Sequence, residues 1–189
     1  MKLSAVLLAG GESRRMGREK ATMLCRGRPL WQRQLDTLRE LEPTELLISA
    51  RSDPAWRPKD AAFVADAIPS RGPLSGITAA LACMKGAHLL ALAIDMPCMS
   101  AAYLRSLGDL IDPGCGVLPV MGDRAEPLAA IYPAEAYPCF VAALGGRNFS
   151  LQTITRELIQ LKKLCVVRVS QGEERLFGNV NEPGDLADL

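Results

Sequence analysis

The chain has 189 residues, of which 49% are hydrophobic, and its 22 basic and 21 acidic residues leave a net charge of +1. This length is enough for one well-buried domain, so residues 1–189 are predicted to form a single domain. The near-neutral charge excludes a global field that would draw the chain to nucleic acid or to a membrane, so any anion site must be local.

The first predicted element is a buried strand over 3–9, which runs into a basic, glycine-rich loop over 8–20 (LAGGESRRMGREK). The glycines of the loop let a ligand approach the backbone, and they are Gly10, Gly11 and Gly17. The cations of the loop can hold a polyphosphate, and they are Arg14, Arg15, Arg18 and Lys20. The loop matches neither the dinucleotide pattern GxGxxG nor the P-loop pattern GxxxxGK[ST]. A glycine-rich turn with a solvated basic face is the alternative.

Strands and helices alternate along the rest of the chain. Helical spacing predicts helices over 29–41, 77–85, 134–144 and 150–161, and a turn into a short helix over 179–189. Short apolar runs predict strands over 45–50, 63–65, 89–94, 116–120, 129–132 and 164–169. This alternation predicts an α/β fold, an αβα sandwich of three layers around a mainly parallel sheet, with ligands at the carboxyl ends of the strands.

Asp95 directly follows the fully apolar strand 89–94 and is a candidate metal ligand. Mg²⁺ needs only one or two protein oxygens when substrate phosphates complete its shell, so Asp95 with an amide oxygen of Asn179 or Asn181 would be sufficient. The alternatives are structural. Asp95 could cap the turn before Pro97, and Asn181 could cap the helix that follows it.

Asp66 ends the strand 63–65, where its carboxylate could accept hydrogen bonds from a base. The segment GPLSG over 72–76 follows, and its glycines, Gly72 included, permit close backbone approach, while Ser75 could cap the next helix. A turn-forming aspartate and purely structural glycines are the alternatives. The single histidine, His88, has no Ser or Cys motif beside it and is not expected to be catalytic.

The cysteines and apolar runs predict a cytoplasmic protein. The six cysteines are scattered, with no Cys-x-x-Cys pair, so reduced thiols are expected. No apolar run approaches the roughly 18 residues of a membrane span, and no signal-peptide pattern follows Met1.

Six segments, taken in order, resemble the molybdenum cofactor guanylyltransferases, which are MobA-type nucleotidyltransferases: LAGGESRRMGREK, PLWQ (29–32), GPLSG, DMP (95–97), EPL (126–128) and NVNEPGDL (179–186). The resemblance covers nearly the whole chain and implies a Rossmann-like nucleotidyltransferase sheet. It implies transfer of GMP from GTP to molybdenum-bound molybdopterin, which releases pyrophosphate and gives the guanine dinucleotide cofactor. It also implies contacts with other molybdenum cofactor biosynthesis proteins and with molybdoenzyme apoproteins.

The resemblance also assigns roles to positions of this sequence. It implies that Arg15, Lys20 and Asp95 are catalytic. It implies that the nucleotide is bound by Leu8, Ala9, Gly10, Gly11, Gly17, Lys20, Asp66, Gly72 and Asp95. The implied cofactor is Mg²⁺, held by Asp95 with Asn179 or Asn181. Such a transfer needs alignment and charge neutralisation more than covalent chemistry.

Two positions depart from the family pattern: Glu19 replaces the usual Asp, and Arg51 stands where a nucleotide-contacting Asn is common. A sister enzyme that uses CTP, or a related sugar or isoprenoid nucleotidyltransferase, is therefore one alternative. The second glycine of LAGG, and EPL in place of His-Pro, favour guanine. A nucleotide- or molybdopterin-binding protein without turnover is the alternative from another class. For the pterin, charge and loop position suggest a site near Arg71, Arg124 and Arg147.

Overall fold

Ten strands and five α-helices make up the described part of the chain, which in this computed structural model comprises residues 3–10, 20–66, 70–180 and 185. Several predicted site residues lie outside the described residues: Gly11, Arg14, Arg15, Gly17, Arg18, Glu19 and Asn181.

The strands form one large sheet and one small hairpin. They are β1 (Leu3–Leu8), β2 (Leu24–Cys25), β3 (Arg28–Pro29), β4 (Glu45–Ala50), β5 (Ala62–Ala65), β6 (His88–Ala93), β7 (Gly116–Met121), β8 (Arg124–Ala125), β9 (Ala129–Pro133) and β10 (Leu164–Arg168). The large sheet has the order β10-β7-β9-β6-β1-β4-β5, with β8 paired to β7. In that order, β9 is the strand that runs antiparallel to both of its neighbours. The strands β2 and β3 pair with each other and form the small antiparallel hairpin.

Helices cover both faces of the sheet. They are α1 (Leu30–Arg39), α2 (Pro73–Cys83), α3 (Ala101–Gly108), α4 (Tyr137–Gly145) and α5 (Leu151–Gln160). One buried cluster joins α1 and α3 to the sheet, and a second joins α2, α4 and α5 to its other face. Alternate residues of β1 enter the two clusters, as expected of a central strand covered on both sides. The predicted three-layer α/β fold is confirmed. No helix in the described ranges is long and apolar enough to cross a membrane.

Some predicted boundaries were wrong. The helix predicted over 77–85 begins four residues earlier, at Pro73, because proline fits the first helical turn, where its missing N–H costs nothing. The predicted helix 29–41 begins one residue later, since Pro29 pairs in β3. The hairpin β2–β3 and the helix α3 were not predicted.

The chain order creates a crevice beside β1. From β1 the chain moves through β4 to β5 at one edge, and it then returns to place β6 on the other side of β1. Ligands of open α/β sheets bind at such a switch point, at the carboxyl ends of the strands. Those ends here are Leu8 to Gly10 and Ala93 to Asp95.

Candidate active site

An ion pair joins two residues that the sequence places 75 positions apart. Asp95 follows β6, and Lys20 opens a short 3₁₀ helix (Lys20–Thr22). The Lys20 Nζ atom lies 3.0 Å from Asp95 Oδ2, and the two side chains are 21% and 25% exposed. Because both remain accessible, they can also contact a bound anion and a cation.

The pair lies in a small cleft at the switch point. The cleft has a volume of about 100 Å³ and is lined by Leu8, Ala9, Gly10, Lys20, Pro73, Ala93, Ile94, Asp95 and Leu128. Backbone hydrogen bonds fix its floor, since Ala9 N donates to Ser49 O at 2.9 Å and Ile94 N donates to Leu8 O at 3.2 Å. The structure thus brings five predicted nucleotide-binding residues together: Leu8, Ala9, Gly10, Lys20 and Asp95.

Asp66 lies beside the cleft, next to Gly10. It is 8% exposed, and its Oδ1 accepts a 2.5 Å hydrogen bond from Ser49 Oγ. A Cβ added to Gly10 would stand 2.7 Å from Asp66 Oδ2, so a glycine is required there for the close approach. A Cβ added to Gly76 would stand 2.6 Å from Ser49 Oγ. These four residues form a packed chain from α2 to the edge of the cleft. Ser49 was not predicted to be a site residue, because in the sequence it is one polar residue within an apolar strand.

Gly72 and Ser75 organise the start of α2. Gly72 is the residue before the helix and has a φ of 66°, a left-handed conformation that favours glycine. Ser75 was expected to cap the helix, and that expectation was wrong, because Ser75 lies within the first turn of α2. Its Oγ accepts a 2.8 Å hydrogen bond from Arg71 N, which precedes the helix, while Gly72 occupies the capping position. The Gly72 residue adjoins Pro73, which lines the cleft.

Two contacts from α1, one buried and one part-buried, hold the segment after Asp95. Gln34 Nε2 donates to Met96 O at 2.5 Å, and Arg33 Nη2 donates to Pro97 O at 3.3 Å. Gln34 is fully buried, which is unusual for a glutamine and shows that its amide serves this contact. Sequence analysis missed both residues, although a glutamine on the apolar face of α1 was a usable signal.

Asn179 approaches Asp95 through the backbone. Val180 N donates to Asp95 O at 2.8 Å, which places the exposed Asn179 in the adjoining position. Within the described ranges, no three or more His, Cys, Asp or Glu residues are grouped so that they could hold a metal ion. One carboxylate with an amide oxygen nearby is a donor set that suits Mg²⁺, provided that phosphates and water complete the shell.

Two further polar residues identified in the sequence are buried. His88 lies at the amino end of β6, away from the cleft, with Nε2 3.1 Å from Asp112 O and 3.2 Å from Cys115 O. Glu126 is 7% exposed, and burial raises the pKa of its carboxyl, an effect that Arg124 only partly offsets. Arg51, the unusual residue after β4, is exposed.

The three arginines suggested for the pterin occupy separate environments. Arg71 stacks over the ring of Phe149 with its guanidinium carbon 4.3 Å from the ring centroid. Arg124 Nε lies 4.0 Å from Glu126 Oε1, and Arg147 is exposed between α4 and α5. No pocket among those described joins them, so this location stays a prediction.

The family model and the relatives that match this chain agree with one another. A family model described as "MobA-like NTP transferase domain" matches residues 5–162. A protein of Opitutus terrae named "Probable molybdenum cofactor guanylyltransferase" is 38% identical over 186 residues, covering 97% of this chain and 92% of that protein. A protein of Clostridium perfringens with the same name is 33% identical over 193 residues, covering 100% and 96%.

A solved structure shares the fold. The crystal structure of molybdopterin-guanine dinucleotide biosynthesis protein A from Archaeoglobus fulgidus superposes with a TM-score of 0.76. The match covers 98% of this chain and 95% of that one, at 24% sequence identity. At this identity the likeness concerns the fold.

Proposed function

The chain belongs to the MobA-like NTP transferase family, and we propose that it transfers GMP from GTP to molybdenum-bound molybdopterin with release of pyrophosphate. In this proposal residues 1–189 act as one cytoplasmic nucleotidyltransferase domain. The observation that carries the proposal is the Lys20–Asp95 pair in the cleft at the switch point. A cation and a carboxylate at one accessible point are what a phosphate-transfer site needs, since charge neutralisation lowers the barrier to such reactions.

Lys20 would stabilise the charge that develops during the transfer. An oxygen of the acceptor's terminal phosphate forms a bond to the α-phosphorus of GTP, and the bond from that phosphorus to the bridging oxygen breaks. The electron pair of the broken bond leaves with pyrophosphate. The ammonium of Lys20, in the cleft, would contact the α-phosphate and the leaving group, with Arg15 and Gly17 of the preceding loop on the remaining phosphates. The attacking oxygen is already ionised, so no strong base is required, which agrees with the position of His88 away from the cleft.

Asp95 would hold the metal. Mg²⁺, when bound, would supply positive charge to the phosphate oxygens of the nucleotide. Its protein ligands would be Asp95 with Asn179 or Asn181. The hydrogen bond from Val180 N to Asp95 O keeps the two segments side by side and so supports this donor set.

Asp66 would select guanine. Guanine presents two adjacent N–H groups on its pairing edge, which suit a carboxylate acceptor, whereas cytosine presents only one amino group there. Asp66 is held by Ser49 with its second oxygen beside Gly10, at the rim of the cleft. Leu8, Ala9, Gly10, Gly11 and Gly72 would then contact the nucleotide mainly through the backbone.

The test is pyrophosphate release from GTP and from CTP, with Mg²⁺ and molybdopterin supplied, by the native chain and by Asp95→Asn. We expect release from GTP that falls about 10²-fold or more in Asp95→Asn, because the charge that holds the metal is lost. Asp109→Asn, an exposed aspartate after α3, is the matched control and should keep native activity.

Other outcomes would replace the proposal. A preference for CTP would make the chain a cytidylyltransferase. Intact nucleotide binding with no release from either nucleotide would indicate a nucleotide- or molybdopterin-binding protein without turnover.

A further inference from the structure

A second and larger pocket lies on the α1 and α3 side of the sheet. It has a volume of about 600 Å³, within the range of small-molecule sites, and it is lined by Cys25, Arg26, Arg33, Pro97, Cys98, Met99, Ser100, Arg175 and Leu176. None of these residues was a predicted site residue.

The pocket carries positive charge. Among the described residues that line it, three are arginines and none is acidic. Within the described ranges, Arg26 and Arg175 form no ion pair, and Arg33 Nε is buried without a hydrogen-bond partner. The first turn of α3 begins directly after the lining residue Ser100, so the positive end of that helix lies at the same wall. Arg26 and Arg175 are exposed, and their guanidinium groups together with the unpartnered Nε of Arg33 favour an anionic ligand.

Arg26 occupies a position that arginine does not favour. It has a φ of 48° in the two-residue turn between β2 and β3, where asparagine, aspartate or glycine is usual. Glu42 and Lys162 share this left-handed conformation away from the pocket, whereas Arg26 lines the pocket.

The pocket adjoins the Lys20–Asp95 cleft through one continuous segment. Asp95 lines the cleft, and Pro97 to Ser100 line the pocket immediately afterwards. The 3₁₀ helix Glu174–Phe177 contributes Arg175 to the pocket and leads to Asn179 beside Asp95. Two segments of the chain therefore run from the pocket to the neighbourhood of Asp95.

We infer that this pocket binds the acceptor substrate, with Arg26, Arg33 and Arg175 on its anionic groups and Pro97, Met99 and Leu176 against its ring system. The inference rests on the proposed function, in which the reacting phosphate of the nucleotide lies at the cleft and the acceptor approaches Asp95 from another side. It assigns the pterin to a place different from Arg71, Arg124 and Arg147.

The test compares Arg26→Asn and Arg175→Gln with the native chain in two measurements: equilibrium binding of molybdopterin, followed by pterin fluorescence, and the KM values of GMP transfer. We expect each variant to weaken molybdopterin binding and raise its KM about tenfold, since each removes a charged contact, while the KM for GTP is unchanged. Arg26→Asn should not lose stability, because asparagine adopts the left-handed conformation readily. A loss of binding in that variant therefore cannot be attributed to unfolding.

Arg28→Gln is the matched control, since Arg28 lies on the same hairpin but pairs with Asp36 outside the pocket. Unchanged molybdopterin binding in both pocket variants would overturn the inference, as would a loss of binding in Arg124→Gln alone. Weaker inhibition by inorganic pyrophosphate, with molybdopterin binding unchanged, would assign the pocket to the leaving group and also overturn it. If the native chain binds molybdopterin through Arg26 but releases no pyrophosphate from GTP or CTP, the proposed function fails and the pocket assignment stands.

Discussion

At the scale of single residues, the contact between Ser49 and Asp66 decides how one buried carboxylate faces the cleft. The hydroxyl donates to Oδ1, so Oδ2 is left beside Gly10. Gly76 gives Ser49 the room to do so. A carboxylate this buried depends on its few donors, because losing one leaves an acceptor without a partner.

Ser49→Ala should therefore cost about 1–3 kcal/mol of the free energy of unfolding and weaken GTP binding. Urea denaturation and a GTP titration measure the two effects. Ser52→Ala, at an exposed position just after the same strand, should change the free energy of unfolding by less than about 0.5 kcal/mol. If the two variants behaved alike, the hydrogen bond would not be what positions Asp66.

At the scale of elements, α1 supports the segment that carries Asp95. Gln34 reaches from the buried face of α1 to Met96 O, which also accepts from Met99 N. The helix thus sets the position of the segment that lines both the cleft and the larger pocket. Gln34 acts through the backbone and touches neither substrate in the proposed arrangement, so it is a positioning residue.

Gln34→Leu should lower kcat about tenfold with little change in the KM for GTP, because a displaced Asp95 affects the reacting geometry more than ground-state binding. The free energy of unfolding should fall by only about 1 kcal/mol, since Met96 O keeps one donor. Steady-state kinetics with both substrates measures the split. Gln160→Leu at the exposed end of α5 is the control, and an equal loss of kcat there would contradict the role of Gln34.

The elements that sequence analysis predicted well are those buried on both faces. Uninterrupted apolar runs such as β1 and β6 are compatible with few other secondary structures, so their positions follow from the local hydrophobic pattern. The helix α3 was missed because it is only eight residues long, although Ser100 and the apolar spacing of Tyr103, Leu104 and Leu107 were usable signals. The start of α2 was misplaced because glycine and proline usually mark loops. Gly76 lies in the helix because it packs against Ser49, which no local pattern shows.

The same limit applies to the candidate site. Lys20 and Asp95 could each be chosen from a motif or from the end of a strand, but their 3.0 Å contact depends on the order of strands in the sheet. The larger pocket could not be predicted, because its residues come from β2, α1, the segment after Asp95 and the last 3₁₀ helix. Its arginines are indistinguishable in sequence from solvent-exposed ones.

At the scale of the whole molecule, the net charge of +1 leaves only local fields. Arg26, Arg33 and Arg175 at the larger pocket have no carboxylate ion pair among the described residues, which is also true of cations elsewhere such as Lys85, Arg105 and Arg168. An anionic substrate at the pocket is therefore attracted by these three local charges and not by an overall field. Because ionic strength screens such local fields, the rate of acceptor binding should depend on salt more strongly than the overall charge suggests.

The stability of the whole molecule should depend on pH through Glu126. Burial raises the pKa of this carboxyl in the folded chain, so over the pH range from its ordinary value to the raised value the folded state holds a proton that the unfolded state releases. The free energy of unfolding therefore falls as pH rises through that range, and each pKa unit of difference is worth about 1.4 kcal/mol.

The Glu126→Gln variant has no charge at this position, so its free energy of unfolding relative to that of the native chain should increase from about pH 4 to about pH 8. Urea denaturation at both pH values measures the difference, with the exposed Glu157→Gln as a control expected to show no such trend. A Glu126→Gln variant that was less stable than the native chain at the higher pH would mean that the buried carboxylate is stabilised as an anion, and that Arg124 contributes more than its 4.0 Å contact indicates.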